Sequence, residues 1–149
     1  MFTKIKHKAG ETILEWQDSS EHEAVLHSLR SHEDPRPEFL TALQALTSVV
    51  LSLCELPLDY GDGLTILGVT ITDHDTLGRG TVITALKKLT RSQAPLVINT
   101  PHVTEAGSHE NAPTLFGREL DLIEQLQEEA ARYMKGERAQ QNLFEHKAA

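Results

Sequence analysis

The sequence predicts an α+β fold, in which an antiparallel sheet of about five strands carries two helices in the order βββαββα. Three observations support this prediction. Short runs in which apolar and polar side chains alternate are typical of strands with one buried face. Two longer segments place apolar residues three and four positions apart, which is typical of helices. Clusters of Gly, Pro, Asp and Asn separate these segments and predict turns.

The strands are predicted at residues 2–8, 11–17, 22–30, 64–72 and 81–89. The first two form a hairpin around Ala9-Gly10, and the last two form a hairpin around a loop at residues 73–80. Residues 22–30 are ambiguous, because a helix capping box precedes them while their side chains alternate; we interpret them as a strand. Residues 91–113 are predicted to form a long loop with a short β-prone piece at 96–98.

The first helix is predicted to begin in the segment Asp34-Pro35-Arg36-Pro37-Glu38, because an aspartate cap and prolines in the first turn cost no backbone hydrogen bond. It ends before Pro57, and its apolar stripe consists of Phe39, Leu43, Leu46, Val50 and Leu53. The second helix is predicted at residues 115–135 and ends at Gly136. Its stripe consists of Phe116, Leu120, Ile123, Leu126 or Gln127, Ala130 and Met134.

The order of three strands, a helix and two strands is also the connectivity of the OB-fold, a small barrel that commonly binds single-stranded nucleic acid. A plain antiparallel sheet with both helices packed on one face satisfies the same order. We favour the plain sheet, because the first two strands are short and the chain offers few aromatic stacking platforms.

The length of 149 residues suits one domain, predicted at residues 1–135, followed by a flexible tail at residues 136–149. No apolar run is long enough to span a membrane, and the first residues lack the apolar core of a secretory signal, so we expect a cytoplasmic protein. The single cysteine, Cys54, excludes an internal disulfide and is expected to be a small core residue.

The tail carries the pentapeptide Gln140-Gln141-Asn142-Leu143-Phe144. An apolar Leu-Phe pair on a polar tail is suited to a pocket on another protein. The string resembles the short peptide by which bacterial DNA polymerases, repair factors and their phage counterparts dock on the sliding clamp, and Gln140, Leu143 and Phe144 match that motif. The second position is commonly Leu, so Gln141 is expected to weaken the contact. Alternatively, Leu143 and Phe144 fold back onto the body.

Nearly the whole chain resembles a family of small proteins encoded in the early replication and recombination regions of tailed bacteriophages. The resemblance lies in residues 35–39, 54–57, 82–85, 94–102 and 139–144. It implies a setting in phage DNA metabolism inside the bacterial host, and it implies no activity and no catalytic residue.

The net charge of −8 excludes a wholly basic nucleic-acid surface but leaves room for a local basic patch. The candidate nucleic-acid-binding residues are Lys4, Lys6, Lys8, Trp16, Lys87, Lys88 and Arg91. The cations would contact phosphates, and Trp16 would stack on a base. The acidic stripe on the second helix is interpreted as its solvated side, although it could mimic DNA phosphates towards a basic host protein.

The sequence predicts no catalytic residue, no cofactor and no bound metal. A carboxylate and imidazole site remains as an alternative, because Asp73, His74 and Asp75 in one loop and His102, His109 and Glu110 in another are residue types that suit zinc or manganese. Such a site would make the protein a small metal-dependent hydrolase.

The leading functional hypothesis is a non-enzymatic accessory protein of phage DNA replication or recombination, which docks on the host sliding clamp through its tail and binds single-stranded DNA through its body. The alternative is a host-takeover or anti-defence inhibitor that blocks a host protein by binding. The sequence leaves the oligomeric state open.

Overall fold

The computed structural model describes residues 1–20, 22–115 and 117–139. Its strands are β1 Phe2–Lys8, β2 Glu11–Ser19, β3 Ala24–Ser31, β4 Leu64–His74, β5 Gly78–Lys87, β6 Leu96–Asn99 and β7 Val103–Thr104. Its helices are α1 Pro37–Gln44, α2 Thr47–Leu53 and α3 Arg118–Met134, with a short 3-10 helix at Leu58–Gly61. None of the helices in these ranges is both long enough and apolar enough to cross a bilayer.

The strands form one antiparallel sheet in the order β3-β2-β1-β4-β5-β6, and β7 also pairs with β5. The predicted α+β fold is confirmed. The sheet exceeds the predicted five strands because residues 91–113, predicted as a loop, contribute β6 and β7. A closed barrel would need a second partner for β3. Within the described residues β3 pairs with β2 alone, so the observed sheet is the open one that the sequence favours over an OB-fold.

The sheet has two chemically different faces. Side chains directly opposite each other on paired strands point to the same side. The side that packs against the helices, here called the helix face, carries the buried row Leu14, Ile5, Val69 and Ile83. The other side, here called the open face, carries the row Glu15, Lys4, Thr70 and Val82.

Both predicted hairpins are confirmed, and residues 22–30 fall largely within β3. The β4–β5 turn is tighter than the predicted loop at 73–80, because only residues 75–77 lie between the two strands. His74 stabilises this turn by accepting the Leu77 N–H on Nδ1 at 3.2 Å. Gly78 adopts a φ of +78°, which glycine adopts without strain and residues with a side chain adopt only rarely.

The prediction of one continuous helix up to Pro57 is wrong, because α1 and α2 are separated at Ala45 and Leu46. Gln44 turns towards the sheet, where its amide donates to the Ile66 carbonyl and accepts the Ile66 N–H, at 3.1 and 3.0 Å. The Thr47 hydroxyl donates to the Gln44 carbonyl at 2.7 Å, across the break between the two helices.

The predicted aspartate cap of this helix is also wrong. α1 begins at Pro37 with Arg36 in the flanking position, and no side chain caps it. Pro37 suits this position because its fixed φ matches a helix and its missing N–H would have had no intrahelical partner. The Asp34 carbonyl instead accepts a hydrogen bond from the Ala139 N–H.

The second predicted helix is confirmed as α3, within the residues that the structure describes. Ile123, Leu126 and Ala130 of the predicted stripe are buried, and Leu120 and Met134 pack partly buried against the core. Tyr133, which the stripe omits, is only 1% exposed. Phe116 lies outside the described residues.

Candidate functional site

The described chain ends in a group of contacts between α3 and the loop that follows β3. We call this group the C-terminal clasp, and it consists of Glu33, Asp34, Tyr133, Arg138 and Ala139. The buried Tyr133 hydroxyl donates to the Glu33 carbonyl at 2.6 Å, which joins residues 100 positions apart in the sequence. The ring of Tyr133 also contacts Phe39 of α1, at 6.0 Å between ring centroids, so the clasp is anchored in the core.

Arg138 adds further contacts to the clasp, with both Tyr133 and Glu33. Its guanidinium lies 4.3 Å from the centre of the Tyr133 ring and forms an ion pair with the Glu33 carboxylate. The Arg138 Nε also donates to the Tyr133 carbonyl at 3.3 Å. The next residue, Ala139, donates its N–H to the Asp34 carbonyl at 2.9 Å. Contacts with the body therefore continue past residue 135, where the sequence places the domain boundary.

The candidate partner-binding residues Gln140, Leu143 and Phe144 lie outside the described residues. The structure nevertheless describes the residue that precedes them in the sequence. Because Ala139 is hydrogen-bonded to Asp34, the residue before Gln140 is held near the end of β3.

The candidate nucleic-acid-binding residues do not form a single surface. Lys4, Lys6 and Lys8 alternate along β1 and share the open face. Glu15 lies directly opposite Lys4 on β2, and Glu11 lies opposite Lys8. The neighbouring carboxylates offset part of the positive charge that this lysine row would present to a phosphate backbone.

Trp16 lies on the helix face, on the other side of the sheet from the three lysines. The β1–β2 register pairs Trp16 with Phe2 and the adjacent Glu15 with Lys4, so Trp16 and Lys4 point in opposite directions. The Trp16 ring stacks on His27 of β3, with centroids 5.4 Å apart and ring planes at 12°. His27 in turn pairs with Asp18 at 3.0 Å. One stretch of DNA lying on the lysine row would not reach this indole.

Lys87 lies on the helix face at the end of β5, where it supports the 3-10 helix. Its ammonium donates to the Tyr60 carbonyl at 2.9 Å and to the Asp62 carbonyl, and it lies 4.5 Å from the centre of the Tyr60 ring. Lys88 and Arg91 follow the end of the strand and are exposed. Among the three candidate cations at this end of β5, Lys88 and Arg91 therefore remain accessible to a ligand, whereas Lys87 is held by the 3-10 helix.

The open face contains a shallow depression of about 540 Å³. Its polar lining includes Lys4, Glu15, Gln17, Thr70, Thr72 and Asp73. His102 lies nearby and bonds to the Thr72 hydroxyl through Nε2 at 2.9 Å. Gly80 makes this possible, because a side-chain carbon at that position would overlap the His102 ring. The depression therefore offers a polar ligand the ammonium of Lys4 as well as the carboxylates of Glu15 and Asp73.

The alternative carboxylate and imidazole site is not assembled. The His74 Nδ1 accepts a hydrogen bond from the Leu77 N–H in the turn after β4, and the His102 Nε2 bonds to the Thr72 hydroxyl. Throughout residues 1–20, 22–115 and 117–139, no group of three or more His, Cys, Asp and Glu side chains is placed to hold a metal ion. Cys54 packs partly buried against the core as expected, and burial raises the pKa of its thiol.

An ion-pair network that the sequence did not predict joins β5 to α3. Arg79 contacts Glu124 at 2.9 Å and Glu105 at 3.4 Å, and its backbone N–H donates to Glu105 at 2.9 Å. The hydrogen bond to Glu124 and the charges of both carboxylates raise the pKa of Arg79. Glu124 belongs to the acidic stripe of α3, so part of that stripe is neutralised within the protein. The sequence signal, Gly78-Arg79-Gly80, is a turn pattern and gives no indication of these distant partners.

Comparisons with protein-family models, with curated proteins and with solved structures found no match to this chain. The function of the protein must therefore be inferred from its own residues.

Proposed function

We propose that this protein is a non-enzymatic accessory factor of phage DNA replication or recombination, and that it docks on the host sliding clamp through Gln140–Phe144. Leu143 and Phe144 would fill the apolar pocket of the clamp, and Gln140 would hydrogen-bond at its rim. The match of these three residues to the clamp-binding motif supports the proposal, as does the phage resemblance of the chain.

The observation that carries the proposal is the position of the peptide directly after the clasp. Ala139 is hydrogen-bonded to Asp34, and Arg138 is held by Glu33 and the Tyr133 ring. A peptide that starts at a fixed residue loses less conformational freedom on binding than one that starts after a long linker. The clasp thus favours presentation of the motif to a groove on another protein.

The test is titration calorimetry of a bacterial sliding clamp with the full chain and with a chain that ends at Ala139. Truncation at this residue removes the motif and retains every described contact of the clasp. We expect binding in the micromolar range, about −8 kcal/mol, for the full chain and none for the shortened chain.

Single substitutions refine this test. Phe144→Ala should weaken binding at least about tenfold, because it removes an apolar anchor. Lys147→Ala, outside the motif, is the matched control and should change affinity less than about twofold. Gln141→Leu restores the residue common at the second position and should strengthen binding. Equal affinity of the full and shortened chains would refute docking through the tail.

We propose further that the body binds single-stranded DNA through the lysine row of the open face. The support is that Lys4, Lys6 and Lys8 share one face. In an electrophoretic shift assay at low salt, the double substitution Lys4→Ala/Lys6→Ala should weaken binding and reduce the salt slope by about 1.4, or roughly 0.7 for each lost phosphate contact. Trp16→Phe is the control on the opposite face and should leave binding unchanged. Absence of any shift would refute this part of the proposal.

A further inference from the structure

The depression on the open face lies where the central strand β1 begins. β1 begins at Phe2, whereas its two neighbours β2 and β4 continue beyond their first pairs with it, to Ser19 and His74. Within the described residues, no strand lies between these two extensions. Gln17 of β2 and Asp73 of β4 therefore line one depression, whose volume of about 540 Å³ suits a small ligand.

One carboxylate in this depression lies beside a lysine without being paired to it. Glu15 of β2 is directly opposite Lys4 of β1, and both residues line the depression. Within the described residues, neither of them forms an ion pair. By contrast, Glu11 on the same strand is paired with Arg30 at 3.2 Å. The Glu15 carboxylate is therefore available to a ligand.

A carboxylate at this position works against simple phosphate binding. Glu15 repels the phosphates that Lys4 attracts, so a DNA strand on the lysine row meets an unfavourable charge there. The repulsion is offset if the carboxylate accepts hydrogen bonds from another part of the strand. In a single DNA strand only the bases carry N–H donors, and these donors are accessible because the bases are unpaired. A base is therefore the ligand that suits Glu15.

Among the four bases, guanine matches the side chains of β2 best. Its Watson–Crick edge presents two adjacent donors, N1–H and N2–H, followed by the acceptor O6. A carboxylate can accept from both donors, and an amide beside it can donate to O6. Glu15 and Gln17 supply these two groups from alternate positions of β2, and both line the depression. Thymine would instead place carbonyl oxygens against the carboxylate.

We propose that the open-face depression binds an unpaired guanine base of a single DNA strand. Glu15 accepts from N1–H and N2–H, and Gln17 donates to O6. This inference rests on the proposed binding of single-stranded DNA to the lysine row. Lys4, Lys6 and Lys8 follow one another at intervals of about 6.8 Å along β1, so the phosphates can follow that row while one base enters the depression at its Lys4 end.

The test compares the affinities of the full chain for single-stranded oligonucleotides of about 12 nucleotides, by fluorescence anisotropy at low salt. One strand is oligo-dT, and the others carry a single central dG, dC, dA or deoxyinosine. We expect dG to lower the dissociation constant at least about fivefold relative to oligo-dT. Deoxyinosine lacks the N2 amino group of guanine, so it should lower the dissociation constant by about twofold or less.

Two substitutions on β2 separate base recognition from the general effect of charge. Glu15→Gln keeps the size of the side chain, and it should remove the preference for dG while tightening the binding of oligo-dT, because it removes a charge that repels phosphates. Glu11→Gln is the matched control, because Glu11 lies opposite Lys8 on the same two strands and does not line the depression. It should leave the preference for dG unchanged within about twofold.

The possible failures of this inference differ from one another. Equal affinity for all strands would refute base recognition and leave the proposed DNA binding by the lysine row in place. A preference for dC or dA over dG would refute the choice of guanine. A preference for dG that survives Glu15→Gln would place its recognition elsewhere on the protein. Absence of binding to every strand would refute this inference together with the proposed DNA binding of the body.

Discussion

The helix face and the open face are built by the same strands, yet they have different roles. The helix face buries Leu14, Ile5 and Val69 beneath α1, α2 and α3. The open face carries Lys4 and Thr70 in the adjacent row of the same strands. Alternation along a strand shows that two faces exist, but the packing of the helices decides which one becomes the core and which one remains available to a ligand.

This difference changes how the candidate binding residues are interpreted. In the sequence, Trp16 and the lysines of β1 lie in one predicted hairpin and look like parts of one surface. In the structure they belong to opposite faces, and Trp16 is stacked on His27. The lysine row remains a candidate for phosphate contacts, while the indole contributes to packing at the edge of the helix face.

The largest expected contrast between the faces is in stability. Ile83 on the helix face is fully buried, whereas its neighbour Val82 on the open face is partly exposed. Ile83→Ala should lower the free energy of unfolding by about 3 to 4 kcal/mol, because it removes buried methyl groups and leaves a cavity. Val82→Ala should cost less than about 1 kcal/mol. Urea denaturation of both variants measures the contrast, and equal losses would contradict the assignment of the faces.

Gly68 is a position on the open face where substitution should be costly. A side-chain carbon there would clash with the Ile5 carbonyl and lie 2.9 Å from the Lys6 Cα, so β1 could not approach β4 as it does. Gly68→Ala should destabilise the protein by about 1 to 3 kcal/mol. Thr70→Ala, on the same face of the same strand, should cost less than about 1 kcal/mol in the same denaturation experiment. If Gly68→Ala left the free energy of unfolding unchanged, β1 could move away from β4 without loss of stability.

The sequence predicts most of the strands because their signals are local. The hairpin around Ala9-Gly10 follows from alternation and a turn pair, and in the structure β1 and β2 pair across this turn. The hairpin of β4 and β5 follows from the same pattern, although its turn is shorter because His74 and Gly78 tighten it. Such short-range patterns predict the strands correctly, because the alternation of apolar and polar side chains in the sequence directly gives the two faces of a strand in the sheet.

Features that depend on distant partners were not predicted. The break between α1 and α2 depends on Gln44 bonding to Ile66 on β4, and an apolar stripe gives no sign of that contact. The clasp depends on Tyr133 reaching Glu33, across 100 positions of sequence. The sequence places Arg138 in the flexible tail, because the Tyr133 ring and the Glu33 carboxylate that hold it come beside it only in the folded chain.

The smallest expected contrast is the pH dependence contributed by His7, on the helix face at the end of β1. Its Nδ1 bonds to the Thr12 hydroxyl at 2.9 Å, and burial lowers the pKa of the imidazole, while Asp34 acts in the opposite direction. The unfolded chain therefore takes up a proton more readily than the folded one. Stability should rise with pH between the lowered pKa and the ordinary value of about 6.5, and the contribution should be lost at lower pH.

His7→Gln can retain a hydrogen bond to Thr12 but cannot titrate. We therefore expect the urea midpoint of the unmodified chain to fall more between about pH 7.5 and pH 5 than that of the variant. The comparison between variants is needed because other groups titrate in the same range and affect both chains equally. Parallel pH profiles would show that the imidazole takes up its proton equally well in the folded and unfolded chains. A larger fall in the variant would reverse the sign, and would mean that the attraction of Asp34 outweighs burial at this end of the helix face.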